Sequence, residues 1–269
     1  MPWRTPFSRQ ISVRRIRTFN SLQPLDHGPV SSGHIWPFRT LTHFLPLQDN
    51  SVPQDHCAPV VGLVGGIGSG KSALARWVSR NSRVEVLDGD QLGHQALTEP
   101  TITGLVIERF PQAGPSDTSS ATEISRPTLA AIVFGDDPES QSARNDLEAI
   151  VHPFIRRSLE DLIQKHRNRI DCEGILVDAA VLLEAGWDDL CDHVVFVDVS
   201  EADRLARVTS TRNWTRSDFL ARQSSQWSLE RKQARSDTII DNSTTLESSG
   251  PRLLSVIHSL RGTTSASCL

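Results

Sequence analysis

The stretch "VVGLVGGIGSGKSALARW", residues 60–77, passes from a short apolar run through closely spaced glycines and one lysine into a helix-forming segment. Residues 60–64 carry no charge, which is typical of a parallel strand buried on both faces. Residues 65–72 satisfy the spacing G-x-x-x-x-G-K-[ST], in which glycines allow backbone N–H groups to converge on phosphate oxygens. The stretch therefore predicts a strand, a phosphate-binding loop and a helix over about 71–80, whose N-terminal partial charge favours an anion.

The loop supplies most of the predicted nucleotide-binding residues. Lys71 is expected to bridge the β- and γ-phosphates of ATP, and the Ser72 hydroxyl is expected to bind Mg²⁺. Arginine outnumbers lysine 25 to 3 in this chain, so a lysine at this position stands out. The predicted set in the loop is Gly66, Gly68, Ser69, Gly70, Lys71, Ser72 and Ala73.

A phosphate-binding loop alone does not separate a GTPase, a transport ATPase and a small-molecule kinase. A guanine-binding protein would need an Asn-Lys-x-Asp element, and the lysines outside the loop, in "IQKHR" and "ERKQA", do not match it. No LSGGQ-like signature of a transport ATPase is present in the sequence. The remaining interpretation is a small-molecule kinase, which transfers a phosphoryl group to a bound acceptor.

Two aspartates follow the second predicted strand, residues 84–87. Asp88 and Asp90 come at its C-terminal end, the edge where parallel sheets bind ligands. Two positions apart on an extended chain, they would point to the same side. One carboxylate near the γ-phosphate can accept the proton of an attacking hydroxyl or orient a magnesium-bound water. The alternative is turn and N-cap chemistry, for which "DGD" is equally suited.

Three more apolar runs, at 175–177, 193–200 and 237–243, complete a five-stranded parallel sheet. Strands that alternate with helices predict an α/β fold of the P-loop NTPase type, with helices on both faces. Asp178 follows the third run, where it either holds Mg²⁺ through water or simply ends the strand.

Residues 201–236 carry seven arginines and Lys232 against four acids. Such a run is either a solvated helical surface or a lid that brings guanidinium groups onto the transferring phosphoryl group. Arg207 and Arg212 would lie about 140° apart on an uninterrupted helix, so we expect the helix to end if both are to face one ligand. "RNWTRSD" has the signals of such a break, with Thr215 and Asp218 at the spacing of a capping pair.

Residues 143–166 have apolar positions at helical spacing, interrupted by Pro153. We expect "VHPF" to mark a bend or a helix start, because the residue before a proline disfavours helical angles. His152 would then make a local hydrogen bond or touch substrate phosphate.

Composition restricts the other classes. The formal net charge of −4 and the pI of about 6.1 argue against nucleic-acid binding through overall positive charge. The longest apolar runs are interrupted well before the roughly 18 residues that a membrane span needs. Four cysteines without a Cys-x-x-Cys pair favour a reducing compartment, and we expect a cytoplasmic protein without nucleic-acid or membrane partners.

Residues 1–57 differ from the rest, with seven prolines, six arginines, three aspartates and neither lysine nor glutamate. This composition predicts a disordered leader. It permits a transit peptide, but the prolines interrupt any amphipathic helix and no apolar segment of a secretory signal is present.

With these features in place, the chain resembles dephospho-CoA kinases over about residues 58–262. The resemblance is carried, in the family's order, by "GLVGGIGSGKS", "VLDGDQL", "RPTLAAIVF", "LEAIVHPFI", "LLEAGW", the "RQSSQ" segment with its following lysine, and "DTIIDNS". It implies a P-loop core (58–97, 172–200 and 237–262), a helical acceptor-binding part (98–171), a helical lid (201–236) and a tail at 263–269.

The resemblance also implies substrates and residue roles. The substrates would be ATP and dephospho-CoA, with transfer to the ribose 3′-hydroxyl. Asp90 looks like the base, Lys71 like the phosphate lysine and Arg207 like the lid arginine, and Asn242 joins the nucleotide-binding set. The acceptor-side positions would be Asp88, Asp90, Arg126, His152 and Glu184. Two alternatives stay open: a kinase of another small acceptor such as a nucleoside or nucleotide, and a nucleotide-dependent binding module.

Overall fold

The computed structural model describes residues 57–115, 123–135 and 137–261. The predictions for the leader, apart from Cys57, and for the tail at 263–269 lie outside these ranges. The described residues form a five-stranded parallel sheet in the order β2-β3-β1-β4-β5, which confirms the predicted fold class. The strands are β1 (Val60–Gly65), β2 (Val84–Asp88), β3 (Gly174–Asp178), β4 (His193–Asp198) and β5 (Thr238–Asp241).

Helices cover both faces of this sheet. Those in the described ranges are α1 (Lys71–Asn81), α2 (Gly89–Ala96), α3 (Pro100–Arg109), α4 (Arg126–Val133), α5 (Pro138–Arg167), α6 (Glu201–Arg212), α7 (Arg216–Ser224), α8 (Leu229–Ala234) and α9 (Leu246–Leu260). None of them is both long enough and apolar enough to pass through a bilayer.

The central strand β1 is buried along its whole length, as its uncharged sequence predicts. Val61 and Leu63 face a cluster that includes Leu74 of α1 and Leu253 of α9. Side chains alternate along a strand, so Val60 and Val64 face the opposite cluster, which α5 covers. Because both faces of β1 are covered, the strand is fixed in the centre of the sheet. The phosphate loop, which follows its C-terminal residue, therefore lies at one edge of the sheet.

Helix α5 runs without interruption through Pro153, so a helix start there is wrong, and a bend at the proline stays a prediction. Proline lacks the N–H that would bond the carbonyl of Ala149. Ala149 is exposed, however, where water can replace the missing donor. Packing beyond the proline keeps the helix continuous, because Ile155 and Leu159 are buried against the sheet.

The helices between β2 and β3 have a small apolar core of their own. Its buried members are Val106, Phe110, Ala113, Ile124, Leu129, Val133 and Ala143, contributed mainly by α3, α4 and the first half of α5. This helical part stands beside the C-terminal end of β2, where α2 begins.

The basic insertion forms α6, α7 and α8, which we call the lid. Asn213 adopts φ 55° and ends α6, and Thr215 with Asp218 forms the predicted capping box at the start of α7. Both Arg207 and Arg212 lie on α6 and line one cavity, so the expectation that they can face one ligand only if the helix ends between them is wrong.

A buried ion pair ties the lid to the loop after β3. Lys232 of α8 is 2% exposed and its Nζ lies 2.9 Å from Glu184 Oε1. The ammonium also donates to Gln226 Oε1 at 3.1 Å and to the carbonyl of Ala180 at 3.3 Å. Glu184 accepts the N–H of Trp227 at 2.9 Å. The lid is therefore anchored by charge as well as by apolar contact.

We predict opposite stability changes for two glycine-to-alanine substitutions. A Cβ at Gly250 in α9 would overlap the Trp77 ring of α1, so Gly250→Ala should lower the free energy of unfolding by about 1–3 kcal/mol. A Cβ at Gly104 in α3 meets nothing within 4 Å, so Gly104→Ala should raise it by about 0.5–1 kcal/mol. Urea denaturation measures both, and equal effects of the two variants would contradict the helix packing described.

We also predict that Lys232→Met lowers the free energy of unfolding by about 3 kcal/mol, because it leaves the Glu184 carboxylate without its cation. The double variant Glu184→Gln/Lys232→Met should lose less than the single variant. Lys165→Met, at an exposed lysine on α5, is the control and should change stability little. Additive losses from Glu184→Gln and Lys232→Met would count against a coupled pair.

Candidate active site

The phosphate loop adopts a conformation that only glycine tolerates at two positions. Gly68 and Gly70 have φ of 78° and 88°. A Cβ at Gly68 would lie 2.6 Å from the carbonyl oxygen of Arg204, and one at Gly70 would lie 2.7 Å from Asn242 Nδ2. The loop leads into α1, whose N-cap Gly70 supplies no side-chain cap. The first N–H groups of α1 are therefore available to an anion.

Lys71 arches back over the loop that precedes it. Its Nζ donates to the carbonyls of Gly65 at 3.1 Å and Gly66 at 3.3 Å. Burial lowers the pKa of Lys71 to about 8, with Asp178 opposing the shift. A desolvated ammonium of this kind gains an anionic partner when a phosphate group occupies the loop. The environment of Lys71 therefore suits a nucleoside triphosphate.

Ser72 and Asp178 form an oxygen pair next to this lysine. Asp178 is 7% exposed at the end of β3, and its carboxylate accepts a hydrogen bond from the Ser72 hydroxyl. Burial raises the pKa of Asp178, against the lowering effects of Ser72 and Lys71. No group of three or more His, Cys, Asp or Glu side chains is preassembled for a metal within the described ranges. One hydroxyl and one carboxylate suit Mg²⁺, which usually takes phosphate and water as its other ligands.

A cavity of about 500 Å³, here called the loop cavity, opens above these groups. Arg207 and Asn242 form one side of it, and Arg207 donates to the carbonyls of Asn242 at 2.8 Å and Ser69 at 3.4 Å. Asn242 is 3% exposed and donates to Ser69 O at 2.8 Å. Arg212, at the last turn of α6, lines the same cavity.

A second cavity of about 550 Å³, here called the helical cavity, lies between α2, α4, α5 and the lid. Arg126 lines it from the first position of α4. His152 packs edge-on against Trp187, with ring centroids 5.2 Å apart. Burial lowers the pKa of His152. Much of the remaining wall is apolar, which suits the organic part of a ligand.

Asp90 lines both cavities. It lies in the first turn of α2, so the expectation of an extended chain from Asp88 to Asp90 is wrong. The cause is the cap: Asp88 Oδ1 accepts the N–H of Gln91 at 2.9 Å and starts the helix at once. Burial and the charge of Asp88 raise the pKa of Asp90, and its carboxylate accepts a hydrogen bond from the N–H of Ala180.

The predicted residues therefore fall into three groups. Those that line a cavity are Gly68, Gly70, Lys71, Ser72, Ala73, Asp90, Arg126, His152, Arg207 and Asn242. Gly66 and Ser69 are buried in the loop itself. Asp88 and Glu184 line neither cavity within the described chain: Asp88 caps α2, and Glu184 binds Lys232 and the lid.

Two basic residues of the helical cavity, His94 and Arg222, were absent from the predicted set. Arg222 lies within the "RQSSQ" segment that carries part of the resemblance, but the segment does not indicate which way its arginine faces. His94 had no distinguishing signal, because a histidine on a short amphipathic helix is ordinary.

Comparison with known proteins identifies a matching family. The family model described as dephospho-CoA kinase matches residues 59–248. Dephospho-CoA kinase from Rhodopirellula baltica is 33% identical over 189 residues, 70% of this chain and 85% of the relative. That from Geobacter sulfurreducens is 36% identical over 189 residues, 70% of this chain and 91% of the relative.

Solved structures share the fold. TT1252 from Thermus thermophilus superposes with a TM-score of 0.62 at 29% identity, covering 76% of this chain and 98% of that one. Dephospho-CoA kinase from Campylobacter jejuni gives 0.52 at 20% identity, with the same two coverages. The family model spans well over half of the sequence, and the identities hold across most of each relative. The chain belongs to the dephospho-CoA kinase family.

Proposed function

We propose that the protein transfers the γ-phosphoryl group of ATP to the ribose 3′-hydroxyl of dephospho-CoA, giving coenzyme A and ADP. The observation that carries the proposal is that one carboxylate, Asp90, borders both cavities. A phosphoryl donor in the loop cavity and an alcohol in the helical cavity would meet at this group. Family membership supplies the identity of the acceptor.

In the proposed step the 3′-oxygen attacks the γ-phosphorus and forms the new P–O bond. The bond from phosphorus to the oxygen that bridges the β- and γ-phosphates breaks, and ADP leaves. The hydroxyl proton passes to Asp90. Two features support this role: the N–H of Ala180 orients the carboxylate, and burial raises the pKa of Asp90 towards the range of a useful base. Asp88 acts through Asp90, since its charge raises the same pKa.

On the donor side, Lys71 and the first N–H groups of α1 would hold the phosphates. Arg207 is proposed to stabilise the charge of the transferring group, and its bonds to Asn242 and Ser69 already place it beside the loop. When bound, Mg²⁺ would neutralise charge on the β- and γ-phosphates. Ser72 would hold the ion directly, with Asp178 beside it.

On the acceptor side, Arg126 and His152 are proposed to bind the substrate in the helical cavity. Glu184 belongs to the same predicted acceptor-side set, but its observed contact is with Lys232 of the lid, and it lines neither cavity in the described part of the chain. A lid held over both cavities would keep water from the γ-phosphate, which prevents wasteful hydrolysis of ATP. A cytoplasmic location remains part of the proposal and rests on the cysteine pattern of the sequence.

The test is a coupled assay of the purified full-length chain with ATP, Mg²⁺ and a panel of acceptors. ADP release should depend on dephospho-CoA, and mass spectrometry should detect coenzyme A as the product. Nucleosides and nucleotides in the same panel test the alternative of another small acceptor. ATP binding without any phosphorylated product would instead support a nucleotide-dependent binding module and reject the proposal.

Asp90→Asn should lower kcat by about 10²- to 10⁴-fold, the usual contribution of a general base, while the Kd for ATP changes little. Asp88→Asn is the matched control. Asparagine caps a helix as well as aspartate does, so α2 should keep its start and kcat should fall by less than about tenfold. Steady-state kinetics measure kcat, and an ATP titration measures the Kd for ATP. Near-normal turnover in Asp90→Asn would remove Asp90 from the mechanism.

Lys71→Ala should weaken ATP binding and also lower kcat, each by about 10²-fold or more, because the loop loses its only ammonium. Lys165→Ala, at an exposed lysine of α5 far along the chain from the loop, should leave both constants unchanged. Isothermal titration and single-turnover transfer measure the two effects. Normal ATP binding by a folded Lys71→Ala variant would refute the assigned loop role.

A further inference from the structure

The helical cavity has an excess of basic side chains that the proposed chemistry does not use. Asp90 is the single carboxylate among its described lining residues. Against it stand two imidazoles and two guanidinium groups: His94, His152, Arg126 and Arg222. Asp218, one turn earlier on α7, is the carboxylate near Arg222, but it is taken up by the Thr215 cap, whose hydrogen bonds lower the Asp218 pKa with help from the charge of Arg222. The two guanidinium groups outnumber the one carboxylate of the cavity lining, so an anionic ligand would balance the excess.

Arg222 reaches this cavity from the lid, and aromatic rings hold it there. Its guanidinium carbon lies 4.4 Å from the ring centroid of Trp214 and 5.7 Å from that of Phe134. Trp214 belongs to the lid, and Phe134 follows α4 on the opposite wall. Phe134 makes this contact although its side chain is 60% exposed.

The same rings bind two further arginines. Arg212 lies 5.0 Å from the Trp214 centroid, and Arg144 lies 5.5 Å from the Phe134 centroid. Arg212 lines the loop cavity, so Trp214 touches one arginine from each cavity. A cation–π contact of this kind attracts the guanidinium to the ring and does not use its N–H donors, which an anion can then accept from.

Planar guanidinium groups with available N–H donors match phosphate oxygens in pairs. We propose that Arg222 and Arg126 together bind the 5′-diphosphate of the acceptor, so that the lid recognises the acceptor by that group. The inference rests on the proposed function: dephospho-CoA carries a diphosphate on the ribose whose 3′-hydroxyl would face Asp90. Arg126 contacts it from α4 and Arg222 from α7, and binding draws the lid and the helical part together.

The test measures binding rather than turnover, with the full chain, saturating non-hydrolysable ATP analogue and either dephospho-CoA or adenosine. Arg222→Gln should weaken dephospho-CoA binding by about 10- to 100-fold, the range for losing one charged hydrogen bond. Binding of adenosine, which has the 3′-hydroxyl but no diphosphate, should change by less than about twofold. Because both arginines bind one group, the losses from Arg126→Gln and Arg222→Gln should not add.

Arg231→Gln is the matched control. Arg231 is also an exposed lid arginine stacked on a tryptophan, 3.3 Å from the Trp227 centroid, but it lies outside both cavities. The Arg231→Gln variant should therefore bind dephospho-CoA as tightly as the wild type does. Arg222→Lys should retain part of the affinity, and thermal unfolding checks that each variant folds.

The outcomes separate this inference from the proposed function. A wild type that binds dephospho-CoA without phosphorylating it rejects the function and leaves the binding comparison intact. A wild type that turns over, with Arg222→Gln binding within about threefold of it, rejects the inference. Equal losses for adenosine and dephospho-CoA, or an equal loss in Arg231→Gln, also reject it, because the contact would then not involve the diphosphate.

Discussion

The phosphate-binding conformation depends on where the carbonyl groups of the loop point. A loop can aim its N–H groups at an anion only if its carbonyls are turned away and satisfied elsewhere. Side chains do this for the carbonyls of four loop residues, which are Gly65, Gly66, Ile67 and Ser69. The donors are Lys71 to Gly65 and Gly66, Arg204 to Ile67 at 3.2 Å, and Asn242 and Arg207 to Ser69. The loop is thus held in its binding form before a nucleotide arrives.

Arg204 connects that requirement to the lid. It is 1% exposed, stacks on Phe219 and donates to Gln223 Oε1 at 2.8 Å, so one guanidinium joins the loop to α7. A buried arginine costs desolvation, which lowers its pKa here, and the cost is offset only while its acceptors stay in place. A shift of α7 would therefore disturb the loop as well as Arg222, the neighbour of Gln223 in the chain.

Sequence reasoning succeeded where the signal is local. The strand, loop and helix at 60–77 were predictable because glycine spacing and apolar patterning act within a few residues. At Asp88 the expected strand extension towards Asp90 is wrong, whereas the alternative of an N-cap, which the sequence also left open, is what the structure shows. The helix start expected at Pro153 is wrong, because burial of residues further along α5 outweighs one missing hydrogen bond. Arg222 was not predictable, since its direction depends on Phe134, 88 positions away.

The role of Glu184 shows how resemblance and geometry combine. The resemblance places this residue on the acceptor side, whereas its contacts are with Lys232 and Trp227. Lys232 in turn donates to the carbonyl of Ala180, the residue whose N–H holds Asp90. Three contacts thus connect Glu184 to the proposed base, with Lys232 and Ala180 as the intermediate residues. An acid that lines neither cavity of the described chain is in this way connected to the backbone beside Asp90, because the ion pair with Lys232 anchors α8 against Ala180.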